Sequence, residues 1–169
     1  MTRLSRTAGP GVACPDEAAT RAAGRDLAGR LARGDLVLVE GDLGAGKTVF
    51  VRGLAEGLGI APGEVSSPTF ALVHEYGPDG AEPVLAHVDL YRLAVRPGSL
   101  EELGLRDLRG RGAIVAVEWP AAELQEEGAW TVSIVPGVEG GRLVSIARLG
   151  PPLPPGSGRP EAPEDSGKV

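Results

Sequence analysis

Residues 36–48 read LVLVEGDLGAGKT, and this stretch carries the strongest structural signal in the chain. Its first five residues form a short, mostly apolar run, which is typical of a buried strand. The next eight match the pattern G-x-x-x-x-G-K-[ST], a glycine-rich turn that joins a strand to a helix. Backbone N–H groups make such a turn a cradle for an anion, and the following helix adds the positive end of its dipole. The stretch therefore predicts a phosphate loop that binds a nucleoside triphosphate, most simply ATP with Mg²⁺.

Two side chains of this loop are predicted to carry its chemistry. Lys47 would reach the β- and γ-phosphates as a point charge, and the Thr48 hydroxyl would ligate magnesium. Lys47 is informative because the chain has only one other lysine, Lys168, among its 17 basic residues. The other residues predicted to bind the nucleotide at this loop are Asp42, Leu43, Gly44, Ala45, Gly46 and Val49.

Helix-like and strand-like segments alternate along the rest of the chain. The apolar pattern predicts helices over 16–33 and 48–58, with Asp16 or Pro15 opening the first and Gly34 ending it. Further predicted segments are strands over 70–76, 84–90 and 114–118, a short helix that begins with a Ser99–Glu102 capping box and ends near 108, and a hairpin of 131–135 with 142–148. The order predicts a single α/β domain with a mixed, mainly parallel central sheet and antiparallel strands toward the C-terminus.

The predicted domain spans residues 15–149. Residues 1–14 show no regular period and are predicted to be a flexible N-terminus. Residues 150–169 contain six prolines and four glycines, a composition that cannot build a core, and are predicted to be a disordered tail.

Composition restricts the partners and the compartment. The formal net charge is -6, and an acidic chain is a poor general binder of nucleic acid, whose affinity depends on neutralising phosphates. A role in a nucleic-acid pathway would therefore run through a partner. The single cysteine, Cys14, cannot form an internal disulfide, and the sequence has neither a spanning helix nor a secretory signal. We therefore expect a cytoplasmic protein with no membrane association.

Three later runs complete a pattern with the phosphate loop. They are Ser67-Pro68-Thr69-Phe70, His87-Val88-Asp89-Leu90-Tyr91-Arg92 and Val117-Glu118-Trp119-Pro120. In their order and spacing, residues 15–148 resemble the bacterial TsaE family, ATPases in the synthesis of the threonylcarbamoyl modification of adenosine-37 in tRNA. The resemblance implies a small P-loop ATPase that works with TsaD and TsaB, and that meets tRNA only through them. Val49 departs from the family, which commonly has another Thr or Ser there, and the proline-rich tail is outside its pattern.

Three residues of these runs allow two interpretations each, and a fourth, Glu118, has one. Thr69 could sense the γ-phosphate, or it could simply open a strand after a proline turn. Asp89, at a strand end, could orient water or magnesium, or it could cap a turn. Glu118 follows four apolar residues and sits where a Walker B acid would hold magnesium directly or through water. Trp119 could be a partly buried core aromatic, or it could pack near the nucleotide or a partner.

The resemblance favours the functional interpretation at several positions. It implies that Asp89 is important for hydrolysis, that Thr48 and Glu118 are the magnesium residues, and that Thr69 acts as a switch. It also suggests that the N-terminal segment, with Thr20, lies near the adenine, which the residues alone do not indicate.

The predicted mechanism is metal-assisted attack of water on the γ-phosphate, with Lys47, Thr69, Asp89 and Glu118 as the catalytic residues. No arginine finger is evident from the sequence, so unassisted hydrolysis should be slow. Two alternatives stay open at this point: a small-molecule kinase, for which residues 92–111 carry five arginines, and a nucleotide switch that binds without turnover.

Overall fold

The computed structural model describes residues 4–8, 10–61, 63–68, 72–92 and 102–152. The described residues form eight strands and three α-helices that lie wholly within them. The strands are β1 Leu4–Ala8, β2 Val12–Cys14, β3 Leu36–Glu40, β4 Val73–Tyr76, β5 Leu85–Asp89, β6 Ile114–Glu118, β7 Trp130–Pro136 and β8 Arg142–Pro152. The helices are α1 Glu17–Ala28, α2 Lys47–Gly57 and α3 Leu105–Gly110. None of the helices in this described part of the chain is long and apolar enough to cross a membrane.

One mixed sheet forms the centre of the molecule, in the order β1-β8-β7-β3-β6-β5-β4, with β2 also paired to β8. The four central strands β7, β3, β6 and β5 are parallel to one another. Antiparallel strands extend the sheet on both sides: β4 beside β5, and β8 with its partners beside β7. This confirms the predicted α/β domain with a mainly parallel centre.

The side chains of the central strands supply both halves of the core, because successive residues of a strand point to opposite faces. On one face, Val37 and Val39 pack with Leu27 of α1 and Phe50 of α2. On the other face, a second buried cluster contains Leu36, Leu38, Val88, Val115 and Leu105, the last from α3. Burial on both faces explains why β3 and β6 appear in the sequence as continuous apolar runs.

The loop of residues 41–48, called the glycine-rich loop below, follows β3 and leads directly into α2. It begins where a parallel strand ends, between the neighbouring strands β6 and β7. The carboxyl ends of parallel strands open a crevice at this edge of the sheet, where ligands bind in open α/β folds.

Several predicted boundaries were wrong. The segment predicted to be a flexible N-terminus contains two strands, β1 and β2, because β8 is long enough to pair with both. The first helix ends at Ala28, and not near Gly34, which adopts a positive φ of 82° in the turn before β3. Its predicted start is confirmed: the Asp16 carboxylate accepts a hydrogen bond from the Ala19 N–H at 2.8 Å.

Two further predictions fall partly outside the described residues. Ser99 of the predicted capping box lies there, and the described helix α3 begins later, at Leu105, after Gly104 in the left-handed conformation. The predicted tail lies there from residue 153 onward, whereas residues 150–152 belong to β8.

Candidate functional site

The glycine-rich loop folds back on itself through three glycines with positive φ. These are Gly41 (157°), Gly44 (75°) and Gly46 (103°). At two of them a side chain would also collide with a neighbour: a Cβ at Gly41 would lie 2.6 Å from the Ile134 carbonyl oxygen, and one at Gly46 would lie 2.7 Å from Arg142 Nε. Glycine is therefore required for conformation and for space, and the loop gains a backbone that a ligand can approach closely.

Lys47 lies inside this loop and is only 5% exposed. Its Nζ donates hydrogen bonds to the carbonyl oxygens of Gly41 at 2.8 Å and Asp42 at 2.7 Å. The same ammonium lies 3.9 Å from the centroid of the Trp119 ring, within cation–π range. Burial lowers the pKa of Lys47, while the carboxylates of Glu118, Asp89 and Asp42 oppose this shift. The loop thus holds a buried ammonium group that is stabilised in its charged form by three nearby carboxylates.

Glu118 ends β6 beside the start of α2. Its side chain is almost fully buried, and its Oε1 accepts a hydrogen bond from Thr48 Oγ1 at 2.9 Å. The same Oε1 lies 2.8 Å from His87 Nε2. A hydroxyl and a carboxylate oxygen side by side are the ligands that Mg²⁺ prefers, and Mg²⁺ usually takes one or two protein oxygens and keeps several waters. Thr48 and Glu118 therefore fit a magnesium site, although the described residues contain no cluster of three or more His, Cys, Asp or Glu side chains suited to a metal.

Asp89 ends β5, and the parallel register places it opposite Glu118. Its Oδ1 accepts a hydrogen bond from the Tyr91 backbone N–H at 2.9 Å, and its Oδ2 accepts one from Ser67 Oγ at 3.4 Å. The first contact is that of a turn-capping carboxylate. Asp89 also lines the cleft described next, so both sequence-based interpretations of this residue match its surroundings.

A cleft of about 310 Å³ opens in front of the loop. It is lined by Glu17, Leu43, Gly44, Gly46, Lys47, Thr48, Val49, Ser67, Asp89, Tyr91, Glu118, Trp119 and Arg142. Most residues predicted from the sequence to form the site therefore meet in one cavity, although they come from three separate runs of the chain. Asp42 and Ala45 belong to the loop but do not line this cavity.

Trp119 follows Glu118 and turns its side chain into the cleft. Its backbone adopts a left-handed conformation, with φ of 55°, which is unusual for a bulky residue. Its ring lies 4.8 Å from that of Tyr91 and packs against the core on the α3 side of the sheet. The ring therefore contacts both the core and Lys47 of the loop, so both sequence-based interpretations of Trp119 match its surroundings.

Thr20, the residue predicted to lie near the adenine, does not line this cleft. Thr20 is fully buried in α1, where its hydroxyl donates a hydrogen bond to the Asp16 carbonyl oxygen at 3.1 Å, and it does not line the cavity. An adenine contact by Thr20 stays a prediction, and the side chain of α1 that does reach the cavity is Glu17. Thr69 lies outside the described residues, so its predicted switch role also stays a prediction.

Sequence reasoning missed Glu17 and Arg142. Arg142 begins β8 and lies against Gly46, close enough that any side chain at that glycine would displace it. No local motif marks either residue. Their position depends on how α1 and β8 return to the loop from the two ends of the chain, which is a property of the tertiary structure.

A family model described as "Threonylcarbamoyl adenosine biosynthesis protein TsaE" matches residues 14–142. The chain belongs to the TsaE family. The matched range begins before α1 and ends at Arg142. It therefore includes all four motif runs, and also Glu17 and Arg142, the two cleft residues that sequence reasoning missed. The resemblance expected from the motifs is thereby confirmed.

Curated TsaE proteins from other organisms are similar to this chain. "tRNA threonylcarbamoyladenosine biosynthesis protein TsaE" of Streptomyces coelicolor is 44% identical over 106 residues, which cover 63% of this chain and 70% of that protein. The protein of the same name from Nostoc is 39% identical over 137 residues, covering 78% of this chain and 81% of that protein. Among solved structures, Bacillus subtilis YdiB matches with a TM-score of 0.65 and 29% identity, over 89% of this chain and 90% of that one.

Proposed function

We propose that this TsaE-family chain binds Mg-ATP in the cleft and hydrolyses it slowly, and that this cycle supports a TsaB/TsaD machinery in forming threonylcarbamoyl-adenosine at position 37 of tRNA. The observation that carries the proposal is the contact of Thr48 Oγ1 with Glu118 Oε1 at 2.9 Å, beside a glycine-rich loop that holds Lys47. It supports the proposal because a hydroxyl and a carboxylate, oxygen groups that suit a hard cation, lie next to a loop whose backbone suits a phosphate. The names of the curated relatives supply the pathway.

The phosphates would lie along the loop. Its backbone amides and the first turn of α2 offer hydrogen bonds and a positive dipole to an anion. Lys47 already lies within the loop, where it bonds two carbonyl oxygens. A phosphate oxygen is a stronger acceptor for an ammonium than a carbonyl oxygen, so the lysine would exchange these bonds for a charge-assisted one.

Thr48 and Glu118 would hold the magnesium, with waters and phosphate oxygens completing its shell. When bound, the ion supplies positive charge that offsets the charge developing on the phosphates. Asp89 lies one strand away from Glu118 at the same height of the sheet and reaches the same cleft. We assign it the role of orienting the attacking water, with Thr69 reporting the state of the γ-phosphate.

The tRNA would be reached through protein partners, not by direct binding. A net charge of -6 leaves little electrostatic attraction for a polyanion. TsaB and TsaD are the partners that the family resemblance names.

The kinase alternative gains no support from the described part of the chain. Arg109 pairs with Glu126 at 2.6 Å, and Arg111 pairs with Glu82 at 3.0 Å and with Asp107 at 3.0 Å. Neither arginine lines the cleft, so neither offers the lid expected of a kinase.

The test is phosphate release from Mg-ATP by the purified chain, alone and with TsaB and TsaD. We expect slow release that the partners change and that Lys47→Ala and Glu118→Gln abolish. Glu123→Gln is the matched control, because it removes an exposed carboxylate outside the cleft. Bound ATP without turnover in any mixture would refute hydrolysis and favour the switch, while a phosphorylated acceptor would favour the kinase.

A further inference from the structure

His87 is a buried polar residue to which the proposed function assigns no role. It lies in the middle of β5, its side chain is 0% exposed, and it points to the same face of the sheet as α1 and α2. Its Nε2 lies 2.8 Å from Glu118 Oε1. Its Nδ1 has no hydrogen-bond partner among the described residues.

The contact with Glu118 determines which ring nitrogen carries hydrogen. An ionised carboxylate can only accept hydrogen bonds, so Nε2 must be the donor. Nδ1 then lacks a partner in the described part of the chain, and an unpaired buried polar atom carries a desolvation cost that an apolar residue would avoid. Packing alone would not offset this cost, because an apolar side chain of similar size could fill the same space without it. The single bond to Glu118 is what the imidazole contributes here.

That bond acts on the geometry of the carboxylate. Oε1 accepts from two directions, from His87 Nε2 on β5 and from Thr48 Oγ1 on α2. Two donors on the same oxygen determine the rotation of the carboxyl group. Both of these bonds to described residues use Oε1 and leave Oε2 out, and Glu118 lines the cleft. Hydrogen bonds of this kind orient metal-binding carboxylates and tune their affinity.

We propose that His87 is a positioning residue: it holds Glu118 in the orientation in which that carboxylate serves a divalent cation beside Thr48. This inference rests on the proposed metal-nucleotide site but not on hydrolysis. It gives a reason for a histidine two residues before Asp89 on the same strand face, since the two residues serve neighbouring parts of one site.

The test compares His87→Leu with His87→Gln. Gln can place an amide donor near the position of Nε2, while Leu fills the space without a donor. Mn²⁺ binding to the protein–ADP complex is measured by electron paramagnetic resonance, and ADP affinity without metal is measured by calorimetry in EDTA. We expect Leu to weaken Mn²⁺ binding by about 10- to 100-fold with metal-free ADP affinity unchanged, and Gln to restore most of the loss.

The matched control is His74→Leu. His74 is the only other histidine of the sequence, and it lies opposite His87 in the β4–β5 pair. Its side chain forms a hydrogen bond with the Tyr76 hydroxyl instead of with Glu118. It should leave Mn²⁺ affinity unchanged. If wild-type protein binds no Mn²⁺ with ADP, the proposed function and this inference fall together. If wild type binds Mn²⁺ and His87→Leu binds it equally well, only this inference is overturned.

A second measurement covers the case in which His87→Leu does not fold. The imidazole ¹⁵N spectrum of the metal-free wild-type protein contains the signals of two histidines. The spectrum of His74→Leu contains those of His87 alone and so assigns them. We expect His87 to show hydrogen on Nε2, the nitrogen that contacts Glu118. Hydrogen on Nδ1 alone would contradict the bond to Glu118 and overturn the proposal. Equal losses of Mn²⁺ and metal-free ADP affinity in His87→Gln would also overturn it, because they would indicate a packing role.

Discussion

At the scale of single residues, the site combines residues that sequence motifs identify with residues that only the three-dimensional structure brings to the cleft. Lys47 and Thr48 are identified by their place in an eight-residue pattern, and Glu118 by an acid at the end of an apolar strand. Arg142 carries no such signal. Its guanidinium nonetheless lines the same cleft and lies against Gly46.

A cation in that position should contribute to nucleotide binding. We expect Arg142→Ala to weaken ADP or ATP binding by about tenfold, because a hydrogen bond to a charged group contributes about 1.5–3 kcal/mol. The measurement is calorimetric titration with each nucleotide. Arg148→Ala is the control, since the Arg148 guanidinium lies over the Trp130 ring and not in the cleft. Equal effects of the two substitutions would show that Arg142 acts only through the general charge of the protein.

Cys14 predicts a pH dependence of stability. Burial is the main cause that raises the pKa of its thiol, partly opposed by a hydrogen bond with Thr20 and by the charge of Arg142. The unfolded chain therefore loses the thiol proton before the folded one does, and stability falls as pH rises through the ordinary thiol range near about 8.5. Cys14→Ala removes the thiol, and with it this contribution to the pH dependence of stability.

We therefore expect the unfolding free energy of wild type, minus that of Cys14→Ala, to fall between pH 7 and pH 9.5. Urea titrations under reducing conditions at both values measure it. A difference that stays constant would mean that the thiol ionises equally in both states.

At the scale of elements, the two long helices meet more closely than side chains would allow. A Cβ at Gly24 of α1 would lie 2.2 Å from the Phe50 carbonyl oxygen, and one at Gly53 of α2 would lie 2.0 Å from the Arg21 carbonyl oxygen. The glycines therefore let the backbones touch. This packing positions the first turn of α2, which carries Lys47 and Thr48.

Adding one methyl group at this contact should force the helices apart. We expect Gly53→Ala to destabilise the protein by roughly 1–3 kcal/mol, the usual cost of overpacking, as measured by urea unfolding. Gly29→Ala is the control, because Gly29 caps α1 with φ of -66° and a Cβ there would come no closer than 3.7 Å to another atom. Its effect should stay within about 0.5 kcal/mol. Similar stabilities for the two variants would contradict the close approach.

At the scale of the whole molecule, stability should decrease from the centre of the sheet to its edge. Strands β3 and β6 have a hydrogen-bonded strand on each side, and their apolar side chains are buried on both faces. β4 pairs only with β5 in the described sheet, and none of its residues is fully buried.

Amide hydrogen exchange should follow this gradient. We expect the amides of residues 36–39 and 114–117 to exchange slowest, through global unfolding, and those of β4 to exchange much faster through local opening. Exchange measured by NMR gives each rate. Equal protection of β4 and β3 would show that the sheet opens only as a unit.

Local sequence patterns were enough to predict the α/β class, the glycine-rich loop between β3 and α2, the two buried strands Leu36–Glu40 and Ile114–Glu118, and the family. These follow from local rules: burial on both faces makes a strand continuously apolar, and a phosphate loop needs glycine at fixed spacing. The three-dimensional structure was needed to show that β1 and β2 pair with β8, that Arg142 reaches the loop, that Thr20 is buried while Glu17 lines the cleft, and that His87 contacts Glu118. These depend on contacts between residues distant in sequence, and such contacts leave no period or spacing in the chain that could reveal them.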